Sequence, residues 1–182
     1  KIQKFYLDVL KISKEIFRFR ELSQEERAFY NKIHWDIELS IESMGGFKEI
    51  GGLHYRTDHD LSGHAKVSKE NLSITVDGRN FVPHVLELSF GVDRNIYALI
   101  DIGLVEDKDR TIIKFPRRVA PWDAGVFPLV SKDNLPEKAR EIEKELKESG
   151  VVAFFDESGS IGRRYRRMDE IGVSASITID HQ

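Results

Sequence analysis

The 182-residue chain contains no cysteine, which excludes both a disulfide framework and a thiolate-held zinc. That absence fits a reducing compartment and predicts a cytoplasmic protein. No apolar run approaches the ~20 residues needed to span a bilayer, and no signal-peptide pattern is present, so no membrane partner is expected. An excess of positive charge is also missing. The 28 Lys and Arg residues face 31 Asp and Glu, a net charge of −3 that excludes a generally basic binder of nucleic acid but leaves room for a local basic patch. Neither an internal repeat nor a low-complexity segment occurs. The length suffices for one large domain or two small ones.

What is present reads first as alternation. Residues 1–16 carry Ile2, Phe5, Tyr6, Val9 and Leu10 at helical spacing. "FRFRE" (17–21) predicts a short strand, and Ser23 with Glu26 is a capping-box pattern that predicts a short helix over "SQEERAFYNK". Trp35, Ile37, Leu39 and Ile41 alternate with polar residues, as in a half-buried antiparallel strand. Gly45–Gly46 turns the chain into the strand "FKEIGGLHYRT", a helix follows over about 58–66, and "DGRN" predicts a hairpin turn. A helix runs from Val92 to about Leu104. The charged run "VEDKDR" marks a hinge at 106–110, separating 1–105 from 111–182. Beyond it strands and helices alternate, with Pro136 opening one helix and Gly150 closing it, which predicts a small α/β domain of mixed sheet.

Three concentrations of polar residues stand out. In "HVLELSFGVDR" an extended backbone puts Glu87 and Ser89 on one face, ~6–7 Å apart, with Leu86 and Leu88 packed inward on the other. A carboxylate there can accept from an ammonium, while Arg94 in the first helical turn opposes the macrodipole. In "KEIGGLHYRTDHDL" two glycines inside a strand mark either a bulge or close approach of a ligand. Glu49 precedes them and Arg56 follows, offering a guanidinium fork to a carboxylate or phosphate, or to Asp58 or Asp60. His54, His59 and His64 are five apart, not the i, i+4 spacing of helical metal ligands, so no metal site is read there. In "SGSIGRRYRRMDEIG" the cations Arg163, Arg164, Arg166 and Arg167 surround Tyr165 early in a helix. They suit either phosphate and an unpaired base or a solvated face paired with Glu157, Asp169 and Glu170, and Arg117 and Arg118 add charge to the same domain.

Taken in order, "FKEIGGLHYRTDHDLSGHAK", "FVPHVLELSFGVDRNIYALI" and "DESGSIGRRYRRMDEIGVSASITID" resemble the glycyl-tRNA synthetases, class II aminoacyl-tRNA synthetases of the archaeal and eukaryotic dimeric type. The resemblance covers nearly the whole chain, and "WDIE" (35–38) and "FPRRVAPWDAGVFPL" (115–129) also fit it. "SFGVDR" matches the third class II motif, and the Glu-x-Ser before it is particular to the glycine enzymes. Many relatives have proline between that Glu and Ser, where this chain has Leu88.

The resemblance implies an α+β fold. Residues 1–105 would form the C-terminal part of an antiparallel catalytic domain, and 111–182 an α/β anticodon-binding domain. It implies a glycine–tRNA ligase that activates glycine with ATP and Mg2+ and transfers it to the 3′ end of tRNA(Gly), as a homodimer in its full-length form. Glu87 and Ser89 would line the glycine pocket and Arg56 would meet the glycine carboxylate. Arg94 would contact ATP, with Glu49 near the nucleotide or its magnesium, and Arg163, Arg164, Tyr165 and Arg166 would contact tRNA. Nothing in the chain matches the first or second class II motif, so it reads as an inactive fragment of a longer polypeptide. The alternative is a synthetase-like accessory protein that binds tRNA without catalysis.

Overall fold

The computed structural model describes residues 1–107 and 110–181. It opens with a helical turn, α1 (Ile2–Lys4), continued by a π-helical turn over Phe5–Val9. The helix predicted over 1–16 stops there because Lys11 adopts φ 55°, a left-handed conformation that no helix continues through. Contacts divide the chain into two compact units, Ile12–Ala98 and Lys1–Lys11 with Leu99–Gln182.

The first unit is built on four strands. They are β1 (Phe17–Glu21), β2 (Ile33–Ile41), β3 (Gly46–Thr57) and, beyond helix α2 (His59–Ser68) and the small hairpin β4 (Ile74–Val76)–β5 (Arg79–Phe81), β6 (Val85–Phe90). The sheet order is β1-β2-β3-β6, antiparallel throughout. Asp77 and Gly78, at φ 50° and 73°, supply the two positive-φ positions that a tight hairpin turn requires. The strand foreseen across Pro83 divides into β5 and β6, because proline cannot donate to a ladder.

Ile37, Leu39 and Ile41 on β2 are buried with Ile50 of β3, each burial stabilising by about 1.5–3 kcal/mol. Helix α3 (Val92–Gly103) joins this unit through Asn95, whose amide donates to the Ile50 carbonyl at 2.9 Å and the Gly91 carbonyl at 2.8 Å. The helix expected over Ser23–Lys32 does not form. Half of its capping box does, with Ser23 N donating to Glu26 Oε2 at 3.0 Å. Its apolar residues Ala28, Phe29 and Tyr30 are consecutive, so they offer no helical face whose burial could offset nucleation.

The second unit carries an antiparallel ribbon, β7 (Leu104–Asp107) with β8 (Arg110–Ile113). The described residues of the expected hinge are thus strand; Lys108 and Asp109 lie outside the described residues. There follow β9 (Ala124–Pro128), α4 (Leu135–Glu148), β10 (Ala153–Phe155), α5 (Ile161–Glu170) and β11 (Ser176–Ile179). The predicted mixed sheet resolves into that separate ribbon and a parallel sheet of order β10-β9-β11.

Strand β9 is buried along its whole length, as a central parallel strand must be when helices cover both faces. Val126 packs with Ala139 of α4 and Ala153 of β10, and Phe127 packs with Met168 of α5 and Val173. A Cβ on Gly125 would come within 2.4 Å of the Phe127 ring, so only glycine lets that ring lie back along its own strand.

Candidate active site and candidate tRNA-binding helix

One face of the four-stranded sheet gathers most of the predicted site. Register places His34, His54 and Glu87 in one row across β2, β3 and β6, and Arg20, Asp36, Gly52 and Ser89 in the next row from β1 to β6. Residues directly opposite in a ladder share a face, so Glu87 and Ser89 point to the same side. That side is the more sheltered one. Leu86 and Leu88, expected to pack inward, are 68% and 53% exposed instead. Strand β6 is an edge strand of its sheet, and among the described residues nothing buries its apolar face.

Arg56 lies where the β3–β6 register shifts between Tyr55 and Thr57. Its guanidinium donates to Glu87 Oε2 through Nη1 and to Asp60 Oδ1 at 2.7 Å through Nη2. Both carboxylates favour the cation, Asp60 more strongly than Glu87, and raise its pKa above the ordinary arginine value. Asp58 takes no part in this pair: Ser62 Oγ donates to it at 2.8 Å, and that bond leads the causes lowering its pKa. Arg56 Nε and Asp60 Oδ2 are buried without partners, so the cluster retains unused polar capacity. The Tyr30 ring lies against the same guanidinium, 4.4 Å from its carbon.

Gly51 and Gly52 sit mid-strand beside this cluster. A Cβ on Gly51 would come within 2.8 Å of the Ser89 carbonyl oxygen, and one on Gly52 within 2.5 Å of His54 Nε2. Both positions require the bare backbone, because β6 and the histidine close over it. The His54 ring lies 4.0 Å from that of His34, tilted by 42°, and its Nδ1 accepts from the Asn31 side-chain amide at 3.2 Å. Burial first, then the neighbouring His34, lowers the His54 pKa.

At the other end of β3, Glu49 and Arg94 meet. Arg94 Nη1 is 3.5 Å from Glu49 Oε2 and donates to the Glu49 carbonyl at 3.3 Å. They border a cavity of about 600 Å³ lined also by Ile41, Met44, Lys48, Ile50, Asp93 and Tyr97. Its apolar walls carry two cations, Lys48 and Arg94, and two carboxylates, Glu49 and Asp93. Glu49 and the Glu87 row are five residues apart along β3, roughly 16 Å. The two predicted half-sites therefore lie on one strand, with the glycines between them.

Asp36 and Glu38, which carry no role in the sequence patterns above, are buried on the same polar face. Arg18 Nε donates to Glu38 at 2.5 Å, while Arg20 Nε lies 3.4 Å from Glu38 and 3.9 Å from Asp36. His34 Nε2 is 3.1 Å from Asp36 Oδ1 but outside hydrogen-bonding alignment. Burial, reinforced by the Glu49 charge, raises the Asp36 pKa. The signal was the pairing of two alternations, Arg-x-Arg in "FRFRE" with Asp-x-Glu in "WDIE", legible once the strands are adjacent. Among the described residues, no group of three or more His, Asp or Glu side chains could hold a metal ion.

On α5 the four predicted contacts separate. Arg163 and Arg166 are exposed and, among the described residues, make no ion pair. Tyr165 is partly exposed, with its hydroxyl 2.8 Å from Thr178 Oγ1 and its ring edge-on to Phe127. Arg164 is 2% exposed, and its guanidinium donates to the carbonyls of Pro128 and Gly159. A buried side chain cannot meet a nucleic acid, so Arg164 fastens the helix to β9 rather than presenting charge. Arg167 is likewise held by Asp156 and the Ser158 carbonyl.

Residues 123–182 match the family model described as an anticodon binding domain. The chain is 32% identical to a glycine–tRNA ligase of Methanothrix thermoacetophila across 97% of its own length and 44% of that protein. It is 36% identical to one of Borrelia hermsii across 97% of itself and 41% of that protein. The chain thus spans less than half the length of these relatives. The structure of a prolyl-tRNA synthetase from Cryptosporidium parvum, complexed with L-proline and AMP, superposes with a TM-score of 0.67 over 96% of this chain and 36% of that one, at 19% identity. That likeness shows the fold, an α+β class II synthetase arrangement with its anticodon-binding domain. No described helix is long and apolar enough to cross a membrane. By its similarity along nearly all of its length, the chain belongs to the glycine–tRNA ligase family of aminoacyl-tRNA synthetases.

Proposed function

We propose that this chain supplies one wall of the active site and the anticodon-binding domain of a cytoplasmic, homodimeric glycine–tRNA ligase. The observation that carries this reading is the Arg56–Glu87 ion pair beside Ser89 on a sheet face cleared by Gly52. An amino-acid zwitterion matches that pair charge for charge. Its ammonium replaces the guanidinium on Glu87, and its carboxylate replaces Glu87 on Arg56, so one ion pair becomes two. Ser89, half-buried on the same face, hydrogen-bonds the substrate. The crowding around Gly52 leaves no room for a side chain on the substrate, and steric rejection of larger residues is the easier direction of discrimination.

ATP is read into the cavity bordered by Arg94 and Glu49, with Lys48 in its lining. A lone carboxylate beside phosphate groups is how Mg2+ is commonly held, and Glu49 fits that role; the ion would neutralise phosphate charge. The glycine carboxylate oxygen bonds to the α-phosphorus as the bond to pyrophosphate breaks, and pyrophosphate leaves. The transfer that follows joins the glycyl carbonyl to a hydroxyl at the 3′ end of tRNA(Gly), with AMP leaving. Such steps need positioning and charge neutralisation rather than a protein nucleophile. Arg163, Arg166 and Tyr165 supply the tRNA-facing surface of the anticodon-binding domain.

The test is glycine-dependent ATP–pyrophosphate exchange together with calorimetric titration of a non-hydrolysable glycyl-adenylate analogue, on the protein carrying this sequence. The full enzyme binds the analogue and catalyses exchange, and the isolated 182 residues give no useful exchange because they hold neither of the first two class II motifs. No binding of the analogue, with tRNA binding intact, overturns the catalytic reading in favour of an accessory tRNA-binding protein.

A further inference from the structure

The crowding over Gly52 comes chiefly from one side chain, His54. A Cβ on Gly52 would meet His54 Nε2 at 2.5 Å, His54 Cε1 at 3.1 Å and His34 Nε2 at 3.4 Å, so the imidazole lies back along β3 over the bare glycine. Register puts His54 directly between Glu87 on β6 and His34 on β2, while Gly52 stands between Asp36 and Ser89 in the next row. Arg56 follows His54 by two residues on the same strand, and its guanidinium crosses to Glu87. A ligand that joins the Glu87 carboxylate to the Arg56 guanidinium therefore rests on the His54 ring.

That ring is fixed in place. Asn31, itself 5% exposed, donates its side-chain amide to Nδ1 at 3.2 Å, and the His34 ring lies 4.0 Å away, so a rotamer change would give up both contacts. Burial, then His34, lowers the His54 pKa, and the ring is uncharged at neutral pH. A cation opposite Glu87 would compete with a substrate ammonium for that carboxylate. A neutral ring contributes bulk alone.

We infer that His54 is the specificity-determining residue of the amino-acid site, a floor against which one of the two Cα hydrogens of glycine rests. This rests on the reading above, in which Glu87 takes the ammonium and Arg56 the carboxylate. With both ends tied, the two Cα hydrogens are no longer equivalent: one faces the sheet and the imidazole, the other faces away. A methyl group in place of the first is one enantiomer of alanine, and in place of the second the other. A floor made by His54 rejects the first of these and leaves the second to other parts of the pocket. The exclusion therefore has a handedness.

The experiment uses the protein carrying this sequence in full, with glycine, L-alanine and D-alanine. Selectivity is read from ATP–pyrophosphate exchange and, in parallel, from calorimetric binding of the three non-hydrolysable aminoacyl-adenylate analogues. His54→Ala raises kcat/KM for one alanine enantiomer relative to glycine by at least about tenfold, the usual worth of a methyl-sized gap, while the KM for ATP changes by less than about twofold. His54→Asn, shorter but still able to accept from Asn31, gives the same handed gain, so the result does not hang on one variant folding. His54→Phe keeps a ring over Gly52 and rejects that enantiomer as the wild type does. A gain for both enantiomers alike, or for neither, overturns the inference, because a merely loosened sheet has no handedness. So does a His54→Phe protein that admits alanine as readily as His54→Ala. A wild-type protein that binds the glycine analogue without catalysing exchange defeats the aminoacylation reading instead, and the enantiomer ratio is then scored on binding. Binding of none of the three analogues overturns both.

Discussion

The two compact units treat charge in opposite ways. In Ile12–Ala98, Asp36 and Glu38 are buried on a sheet face while Leu86 and Leu88 stand in water. In the unit with α4 and α5, Val126, Phe127 and Met168 are inside, and most arginines either stand outside or pair at the surface. Its exception, Arg164, is spent on two backbone carbonyls. The α/β unit packs its apolar residues inside and keeps most of its charges at the surface. The sheet unit keeps polar groups where they are costly, including a buried Arg56 Nε and both His34 ring nitrogens without hydrogen bonds.

The largest effect sharpens this contrast from the stable side. Phe127→Ala is expected to cost about 3–5 kcal/mol in denaturant melts, since it empties the space between β9 and α5. An effect below 1 kcal/mol would deny β9 its role as the keystone of that unit. On the other side, Glu87→Gln in the full protein should raise the KM for glycine by about a hundredfold, near 2.7 kcal/mol, with little change in that for ATP. Equal changes in both would remove Glu87 from the amino-acid pocket.

Arginines of α5 divide the comparison within a single helix. Arg164→Ala should lower stability by about 2 kcal/mol because two buried carbonyls lose a charged donor. Replacing both Arg163 and Arg166 by alanine should leave the melt unchanged and flatten the salt dependence of tRNA binding by about 1–2 in log–log slope. Interchanged results would mean that the buried and exposed cations have been assigned to the wrong faces.

The smallest expected effect is set by pH. Burial lowers the His54 pKa, so the unfolded chain takes up that proton first. The contribution of neutral His54 is complete above the unfolded value of about 6.5 and is lost as pH falls from there through the folded value. Asp36 behaves oppositely: its raised pKa favours the protonated form, whose contribution is present below the unfolded value of about 3.9 and lost as pH rises through the folded one. Asp36→Asn should therefore stabilise the protein at neutral pH, by under 1 kcal/mol, in a thermal melt. Destabilisation there would show that Arg20 and His34 more than compensate its burial.

Much of this was legible in the residues, for reasons that differ by element. Strand β2 announced itself because period-two alternation fixes both strand and apolar face. Helix α4 did so through Pro136 and Gly150 at its ends, the latter at φ 82°. The face of β6 was read the wrong way round, since alternation gives two faces but not which one has a neighbour. Arg164 could not be told from Arg163, because its burial depends on carbonyls at Pro128 and Gly159 that sequence spacing does not bring near. The Ser23 capping box formed locally, yet no helix grew from it; a local signal does not survive without an apolar face to bury.

Strand β6 also leaves one edge of its sheet unpaired among the described residues, with Leu86, Leu88 and Phe90 beside it. Such an edge is a template on which another strand can be laid, from any chain that reaches it. Self-association of these 182 residues would therefore proceed from the folded state, strand added to strand, and need not wait for unfolding. Its rate would rise with protein concentration, and a lysine placed at Leu88 would slow it without touching the polar face.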